Sequence, residues 1–228
     1  MISGLVFDKL FLGAKSITSW LVQWLDDWGI LVLATAAFAG PYWVMWARRK
    51  YYSPKLDIEF KDEDPYCRHE KTEEDSKPYY CHFVAVNSGL SQADDCEAVL
   101  EKIWDSSGEK ENLEWQERKN WIPVNLKWSA EEKNLMRACF KTIYPGGRRY
   151  FCDIARVDLL KKGARFAFEL PWTFISQDTY LLLGKYKIQI SVYSKNAAKV
   201  AKDFIIDWCG DWKDTQEKMQ KCLKIKML

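Results

Sequence analysis

The segment from Trp28 to Ala47 constrains this chain more than any other, because its twenty residues include no Asp, Glu, Lys, Arg or His. At the rise of an α-helix, twenty residues extend over about 30 Å, which is the thickness of the hydrocarbon core of a bilayer. Three basic residues, Arg48 to Lys50, follow at once. The pattern predicts a transmembrane helix over residues 28–47 and a basic juxtamembrane linker over residues 48–55.

Aromatic and basic side chains flank this segment in the way that residues at a membrane surface do. The predicted membrane-interface residues are Trp28, Tyr42, Trp43, Trp46, Arg48, Arg49 and Lys50. Because Asp26 and Asp27 precede the segment and basic residues follow it, the positive-inside rule places the C-terminal part in the cytoplasm. We therefore expect a single-pass protein of the cell membrane with a cytoplasmic domain.

Residues 1–27 are apolar on one face only. Apolar residues recur at steps of three and four from Phe7 to Trp24, with Asp8 and Lys15 toward the other face. This period is typical of an amphipathic helix that lies in the interface. Asp8 and Lys15 would be costly inside a bilayer, which disfavours the alternative of a second span. Small residues from Ala34 to Ala37 leave a cleavable signal peptide as another alternative.

Charge separates the two parts of the chain and excludes one class of partner. Five of the 34 basic and three of the 32 acidic residues precede Pro54, so residues 54–228 carry 29 of each sign. A formally neutral domain lacks the basic surface that nucleic-acid-binding proteins use. The 48% content of hydrophobic residues is enough for a substantial core. We expect one folded domain and no nucleic-acid partner.

Seven cysteines form an odd set without the close, regular spacing of a disulfide scaffold. Free thiols in a reducing compartment are the simpler interpretation, which agrees with the predicted orientation.

Alternating apolar and polar residues predict strands throughout residues 56–210. The clearest alternation lies at Leu56 to Phe60, Tyr79 to Asn87, Ala93 to Trp104 and Tyr186 to Tyr193. Seven to nine strands, with turn residues between them and no long helical period, indicate an antiparallel β-sandwich. The remaining residues, 211–228, are predicted to form a short helix or strand as a C-terminal tail.

Two local patterns resemble immunoglobulin-like modules of the fibronectin type III-like kind. One is Asn87-Ser88-Gly89 after an alternating strand with Ala93 to Leu100 as its partner, and the other is Leu183 to Tyr186 leading into a late strand. The whole arrangement resembles prokaryotic membrane proteins with one N-terminal span and one such domain. The resemblance implies an immunoglobulin-like sandwich over residues 56–210, and it supplies no catalytic residues.

The two histidines lie close to cysteines, as Cys67-Arg68-His69 and Cys81-His82. These four side chains are of the type that binds zinc, so they are the candidate metal ligands. Adjacent residues of a strand point to opposite faces, however, so Cys81 and His82 would share a site only on a bulged strand. The favoured interpretation is a buried Cys81, an exposed or rim His82 and no bound cofactor.

Three other patterns are candidates for binding. Gly146 to Arg149 offers amides and guanidinium groups to an anion, but a hairpin turn is the favoured interpretation. The acidic residues 62–64 and 73–75 offer oxygen ligands to calcium, but a solvated loop is the favoured interpretation. Trp115 and Trp121 lie among charged residues and are a candidate partner surface, although core or loop anchoring is the favoured interpretation.

Nucleophilic catalysis is not predicted, since the chain has only two histidines and no Gly-x-Ser-x-Gly motif. We therefore expect a non-enzymatic, membrane-anchored module that scaffolds or binds a protein partner through its sandwich. A membrane-tethered ligand or metal sensor is the alternative.

Overall fold

The computed structural model describes residues 23, 30–70, 77–107, 114–129, 139–160, 163–170 and 180–228. They belong to two compact units, Met1–Tyr51 and Tyr52–Leu228, and we call the second the β unit. Trp28 and the amphipathic helix predicted over residues 1–27 lie outside the described residues, apart from Gln23.

Helix α1 (Ile30–Tyr52) contains the apolar segment and includes Pro41 in its interior. It continues past Ala47, so residues 48–52, which were expected to belong to the linker, are helical. Among the residues described, no helix has both the length and the apolar character that crossing a membrane requires.

The described residues of the β unit form two antiparallel sheets and one short helix. The six-stranded sheet contains β1 (Leu56–Glu59), β2 (Cys67–His69), β3 (Tyr79–Asn87), β8 (Tyr150–Leu160), β9 (Gly163–Phe168) and β10 (Tyr180–Leu181). The seven-stranded sheet contains β4 (Ala93–Ser107), β5 (Glu114–Glu117), β6 (Val124–Asn125), β7 (Lys141–Ile143), β11 (Gly184–Tyr193), β12 (Val200–Trp208) and β13 (Leu223–Met227). The predicted mainly β, antiparallel architecture is confirmed.

Strand pairing brings distant segments together. The first sheet has the order β1-β3-β8-β9-β10, with β2 also paired to β3, and the second has the order β13-β12-β11-β4-β5, with β6 and β7 also paired to β4. The described residues contain more strands than the seven to nine predicted, because several of them have only two or three residues. Such short strands leave too little alternation for the sequence to show.

The hydrophobic core lies between the sheets and is built wholly from residues 58–225. Ring contacts join one sheet to the other, with Phe166 of β9 at 6.0 Å from Trp208 of β12, and Phe60 beside β1 at 5.7 Å from Phe204 of β12. Burying large aromatic and aliphatic side chains between two sheets is what stabilises a sandwich-like arrangement. The described core therefore belongs to the β unit.

The C-terminal residues are part of the sheet rather than a tail. Helix α2 (Gln216–Cys222) leads directly into β13, which pairs with β12 from Phe204 to Trp208. Cys222 forms a disulfide bond with Cys209, with the two Cα atoms 5.0 Å apart. The other five cysteines are buried and lie outside any disulfide bond. The expectation that all seven are free thiols is wrong, because the return of the chain along β12 brings residues 209 and 222 together.

Candidate functional site

The exposed surface of α1 is rich in large apolar side chains. Tyr42 is 79% exposed, Trp43 63% and Trp46 50%, and the two indole rings meet edge to face at 5.5 Å. Lys50 extends its ammonium group over the ring of Trp46, at 4.8 Å from the ring centroid. Arg48 is exposed on the same helix. Of the predicted membrane-interface residues, those whose side chains are described are therefore exposed and grouped at the C-terminal half of α1.

The chain enters the β unit at Ser53, Pro54 and Lys55, and Asn87 holds this entry in place. The buried Asn87 side chain accepts hydrogen bonds from the Lys55 amide at 3.0 Å and the Gly89 amide at 2.9 Å. It also donates to the carbonyl groups of Ser91 and Ile143. Every polar group of the amide side chain is satisfied. Asn87, at the end of β3, therefore connects Lys55 at the chain entry to Ile143 of β7 in the other sheet. The sequence around Asn87 indicates a strand and a turn but does not reveal this role.

Two loops beside this entry enclose an open groove of about 680 Å³. One loop is residues 88–90, and the other is residues 144–149, which contain Gly146 and Gly147. The second loop connects β7 of one sheet to β8 of the other, because β7 pairs with β4 and β8 pairs with β3. The hairpin interpretation of this loop is therefore wrong. Arg149 lies 3.8 Å from Glu59 across the groove.

The four candidate metal ligands lie on two faces of the six-stranded sheet. Cys67 and Cys81 are directly opposite each other on β2 and β3, and both are buried in the core. The hydrogen bond with the Cys81 thiol and burial raise the pKa of Cys67 well above its usual range, so this thiol stays protonated. His69 packs instead against the rings of Tyr79 and Trp212.

His82 lies on the opposite face from Cys81 and is 5% exposed. The exposed or rim position expected for it is wrong, because β8 supplies a buried acceptor, Asp153, whose Oδ1 is 2.8 Å from His82 Nδ1. In the described parts of the chain, no three His, Cys, Asp or Glu side chains are arranged to hold a metal ion.

His82, Asp153 and Ser129 form a polar cluster in which the serine and the carboxylate approach the same ring nitrogen. Ser129 Oγ lies 3.1 Å from His82 Nδ1 and donates a hydrogen bond to Asp153 Oδ1. His82 Nε2 is buried without a hydrogen-bond partner, and the Glu70 carboxylate is 4.0 Å away from it. A serine nucleophile needs to bond to the ring nitrogen opposite the carboxylate. The cluster therefore orients His82 within the sheet and does not have triad geometry.

A carboxylate and an aromatic ring extend this cluster along the sheet. Burial, reinforced by the Asp153 carboxylate, raises the pKa of Glu169, while Lys127 and Arg156 oppose that rise. Tyr80 stacks on His82 with ring centroids 5.8 Å apart, and burial raises the pKa of Tyr80 to about 12. The Arg156 guanidinium packs over the Tyr80 ring. None of these partners follows from local sequence, since His82 and Asp153 are 71 positions apart.

Trp121 and Trp115 differ in their surroundings. Trp121 is partly buried, donates its ring N–H to the carbonyl of Leu100 at 3.2 Å and packs against Phe168. Trp121 therefore anchors its loop to the sheet, which is the interpretation that the sequence favours. Trp115 lies on β5 opposite Ser106, where it is partly exposed.

Asp62 is anchored in the fold, whereas part of the acidic pattern is undescribed. Its Oδ2 accepts a hydrogen bond from the Ile225 amide of β13, and burial raises its pKa. Asp62 therefore departs from the solvated loop that the sequence predicts, whereas Glu63 and Asp64 are exposed. Residues 73–75 lie outside the described residues.

No protein-family model matches the chain, and no curated protein matches it either. Among solved structures, the chain is similar to the crystal structure of Spo0M, a sporulation control protein from Bacillus subtilis, at 10% sequence identity. That similarity covers 66% of this chain and 47% of the other, so it spans about half the length of Spo0M, with a TM-score of 0.27.

Proposed function

We propose that this protein is a membrane-anchored interaction module, in which the segment around α1 attaches the β unit to a lipid bilayer and the β unit binds a protein partner. The observation that carries the proposal is the exposed aromatic and apolar surface of α1 next to a basic cluster. Apolar surface of this extent on a helix is stable in water only when lipid or another protein covers it.

The order of side chains along α1 favours lipid as that cover. Uncharged residues extend to Ala47, Trp43 and Trp46 come near their end, and Arg48 to Lys50 follow. Indole rings favour the headgroup layer, and cations next to it are attracted by anionic lipids. The cation–π contact between Lys50 and Trp46 keeps the two kinds of group together. A transmembrane position for residues 28–47 remains a prediction from their sequence.

The β unit supplies the interaction half of the proposal. At the end of the sheets opposite the chain entry, Leu182 is 79% exposed, Leu183 74% and Leu159 60%. Exposed aliphatic residues at one end of a domain are a feature of protein-binding surfaces. An immunoglobulin-like topology, suggested by resemblance, would suit such a role, since modules of that kind bind partners with their ends and edges.

Two features make opposite predictions about the side of the membrane on which the β unit lies. The flanking basic residues predict the cytoplasm. The Cys209–Cys222 disulfide is typical of an oxidising compartment. Labelling of a cysteine placed at the exposed Lys226, in intact and in permeabilised cells, distinguishes the two sides.

Fractionation of cells that express the full chain tests the anchor. We expect the full chain in the membrane fraction and residues 53–228 alone in the supernatant. Extraction at alkaline pH then separates an embedded segment, which resists it, from a peripheral one. Recovery of the full chain in the supernatant would contradict the proposal.

A further inference from the structure

The two loops at the chain entry, residues 88–90 and 144–149, form a surface that the proposed anchor leaves unused. We propose that these loops, which we call the entry loops, make a second contact with the bilayer and bind anionic lipid headgroups. This inference rests on the proposed membrane anchoring and adds to it an orientation of the β unit and a lipid preference.

The position of the entry loops relative to the start of the β unit is fixed by backbone contacts. The Ser88 amide donates to the carbonyl of Lys55 at 2.9 Å. Gly89 packs so closely on residues 53–55 that a Cβ atom at this position would meet the Ser53 carbonyl oxygen at 2.4 Å. Ser53 follows the last residue of α1 directly, so a bilayer that holds the end of α1 is within reach of these loops.

The exposed side chains of the entry loops combine apolar and cationic groups. Leu90 is 66% exposed and Tyr144 47%, and both arginines, Arg148 and Arg149, are exposed. Peripheral membrane contacts use this combination, in which apolar groups enter the headgroup layer while guanidinium groups bind phosphates. The single acidic residue among those lining the groove, Glu59, faces Arg149 at 3.8 Å. Arg148 adds a second cation beside that pair.

The tip of the second loop projects from the domain. Gly146 and Gly147 both have positive φ values, of 91° and 76°, which permit a tight turn. A Cβ atom at either position would meet no other atom within 4 Å. A projecting tip fits an extended surface such as a bilayer better than a small anion, which needs donors that converge in an enclosed site.

Hydrogen–deuterium exchange of the full chain in reconstituted vesicles tests this contact. We expect peptides that cover the entry loops to exchange more slowly in phosphatidylcholine–phosphatidylglycerol vesicles than in phosphatidylcholine vesicles. Peptides at the opposite end, around residues 209–214, should exchange equally in both. Equal exchange of the loop peptides in a chain that is stably reconstituted would overturn the lipid contact while leaving the anchor intact. Failure to reconstitute at all would instead overturn the anchor.

A pair of matched variants tests the role of charge. Residues 53–228 contain the whole described core, so this fragment reports on the entry loops without α1. We expect Arg148→Gln with Arg149→Gln to lower its partitioning to anionic vesicles about thirtyfold, given roughly 1 kcal/mol for each of the two surface cations. Lys213→Gln with Lys218→Gln, at the other end, removes the same charge and should have little effect. Equal losses in both pairs would show nonspecific attraction and contradict the proposal.

Inorganic phosphate in solution carries the same anionic group as a lipid headgroup and is the other ligand to test at the entry loops. Inorganic phosphate without vesicles should leave exchange of the loop peptides unchanged. If phosphate alone slowed their exchange as strongly as anionic vesicles do, the site would bind a soluble anion, and the lipid assignment would be wrong.

Discussion

The α-carbon of Gly89 faces the carbonyl oxygen of Ser53 so closely that a Cβ atom would lie 2.4 Å from it. This contact joins the turn after β3 to the residues through which the chain enters the β unit. Because the neighbouring atoms, the Lys55 nitrogen and the Pro54 Cα, are also backbone, no side chain can move aside to admit a larger residue.

Gly89→Ala should therefore destabilise the β unit, by about 1–3 kcal/mol for an overpacked site. Chemical denaturation followed by tryptophan fluorescence measures the change. Ser88→Ala, at the exposed neighbouring residue, is the control and should shift the free energy of unfolding far less. Similar values for the two variants would show that the entry contact is not tightly packed.

The buried pair of His82 and Asp153 makes a second prediction. Asp153→Ala removes the acceptor for both His82 Nδ1 and Ser129 Oγ, so we expect a loss of about 1–3 kcal/mol in unfolding free energy. Glu63→Ala, which breaks an exposed ion pair with Lys61, should cost less than about 1 kcal/mol. If the two substitutions have equal effects, the buried cluster does not stabilise the sheet.

Glu169 makes a prediction about pH. Burial raises its pKa above the ordinary value of 4.5, so the folded state binds this proton more tightly than the unfolded state does. The resulting stabilisation is fully present below pH 4.5 and is lost as pH rises through the raised pKa. Glu169→Gln cannot ionise, so its stability relative to the original protein should be higher at neutral pH than in acid. Unfolding curves across this pH range that differ by a constant amount would contradict the prediction.

The disulfide makes a prediction about redox conditions. Cys209 and Cys222 are separated by 13 positions. In the chain-entropy account, a disulfide that closes a loop of that size restricts the unfolded chain and stabilises the folded state by about 2–3 kcal/mol. Cys209→Ser, at an exposed residue, should lower the unfolding free energy by that amount. A reductant should destabilise the original protein equally and leave the variant unchanged. Alkylation after denaturation without reductant should modify five cysteines, and modification of seven would show that the bond is absent.

The sequence reveals strands that are long and rich in apolar residues. The strand expected from Tyr79 to Asn87 has these bounds in the structure, and the late strand from Tyr186 lies within β11. In β11 the apolar side chains alternate with polar ones, as in a half-buried strand, whereas β3 is a short apolar run that is buried along most of its length. The expected division of Cys81 and His82 between two faces follows from the alternation of side-chain directions along a strand and is confirmed.

Long-range pairing explains what the sequence does not reveal. Cys209 and Cys222 meet because β13 returns along β12, and Asp153 meets His82 because β8 pairs with β3. Neither partner is marked by its own neighbours in the chain. Gly146 and Gly147 identify a turn, but the sheet to which each flanking strand belongs depends on pairing with β3 and β4. The exposed or buried state of His82 depends on that same pairing.

Flotation of the purified full chain with phosphatidylcholine–phosphatidylglycerol vesicles on a density gradient tests membrane anchoring most directly. Residues 53–228 and the Trp43→Ser, Trp46→Ser double variant of the full chain are run beside it. We predict that the full chain floats with the vesicles at high salt, that the fragment does not, and that the double variant is weakened. A full chain that stays at the bottom of the gradient would contradict the membrane anchor.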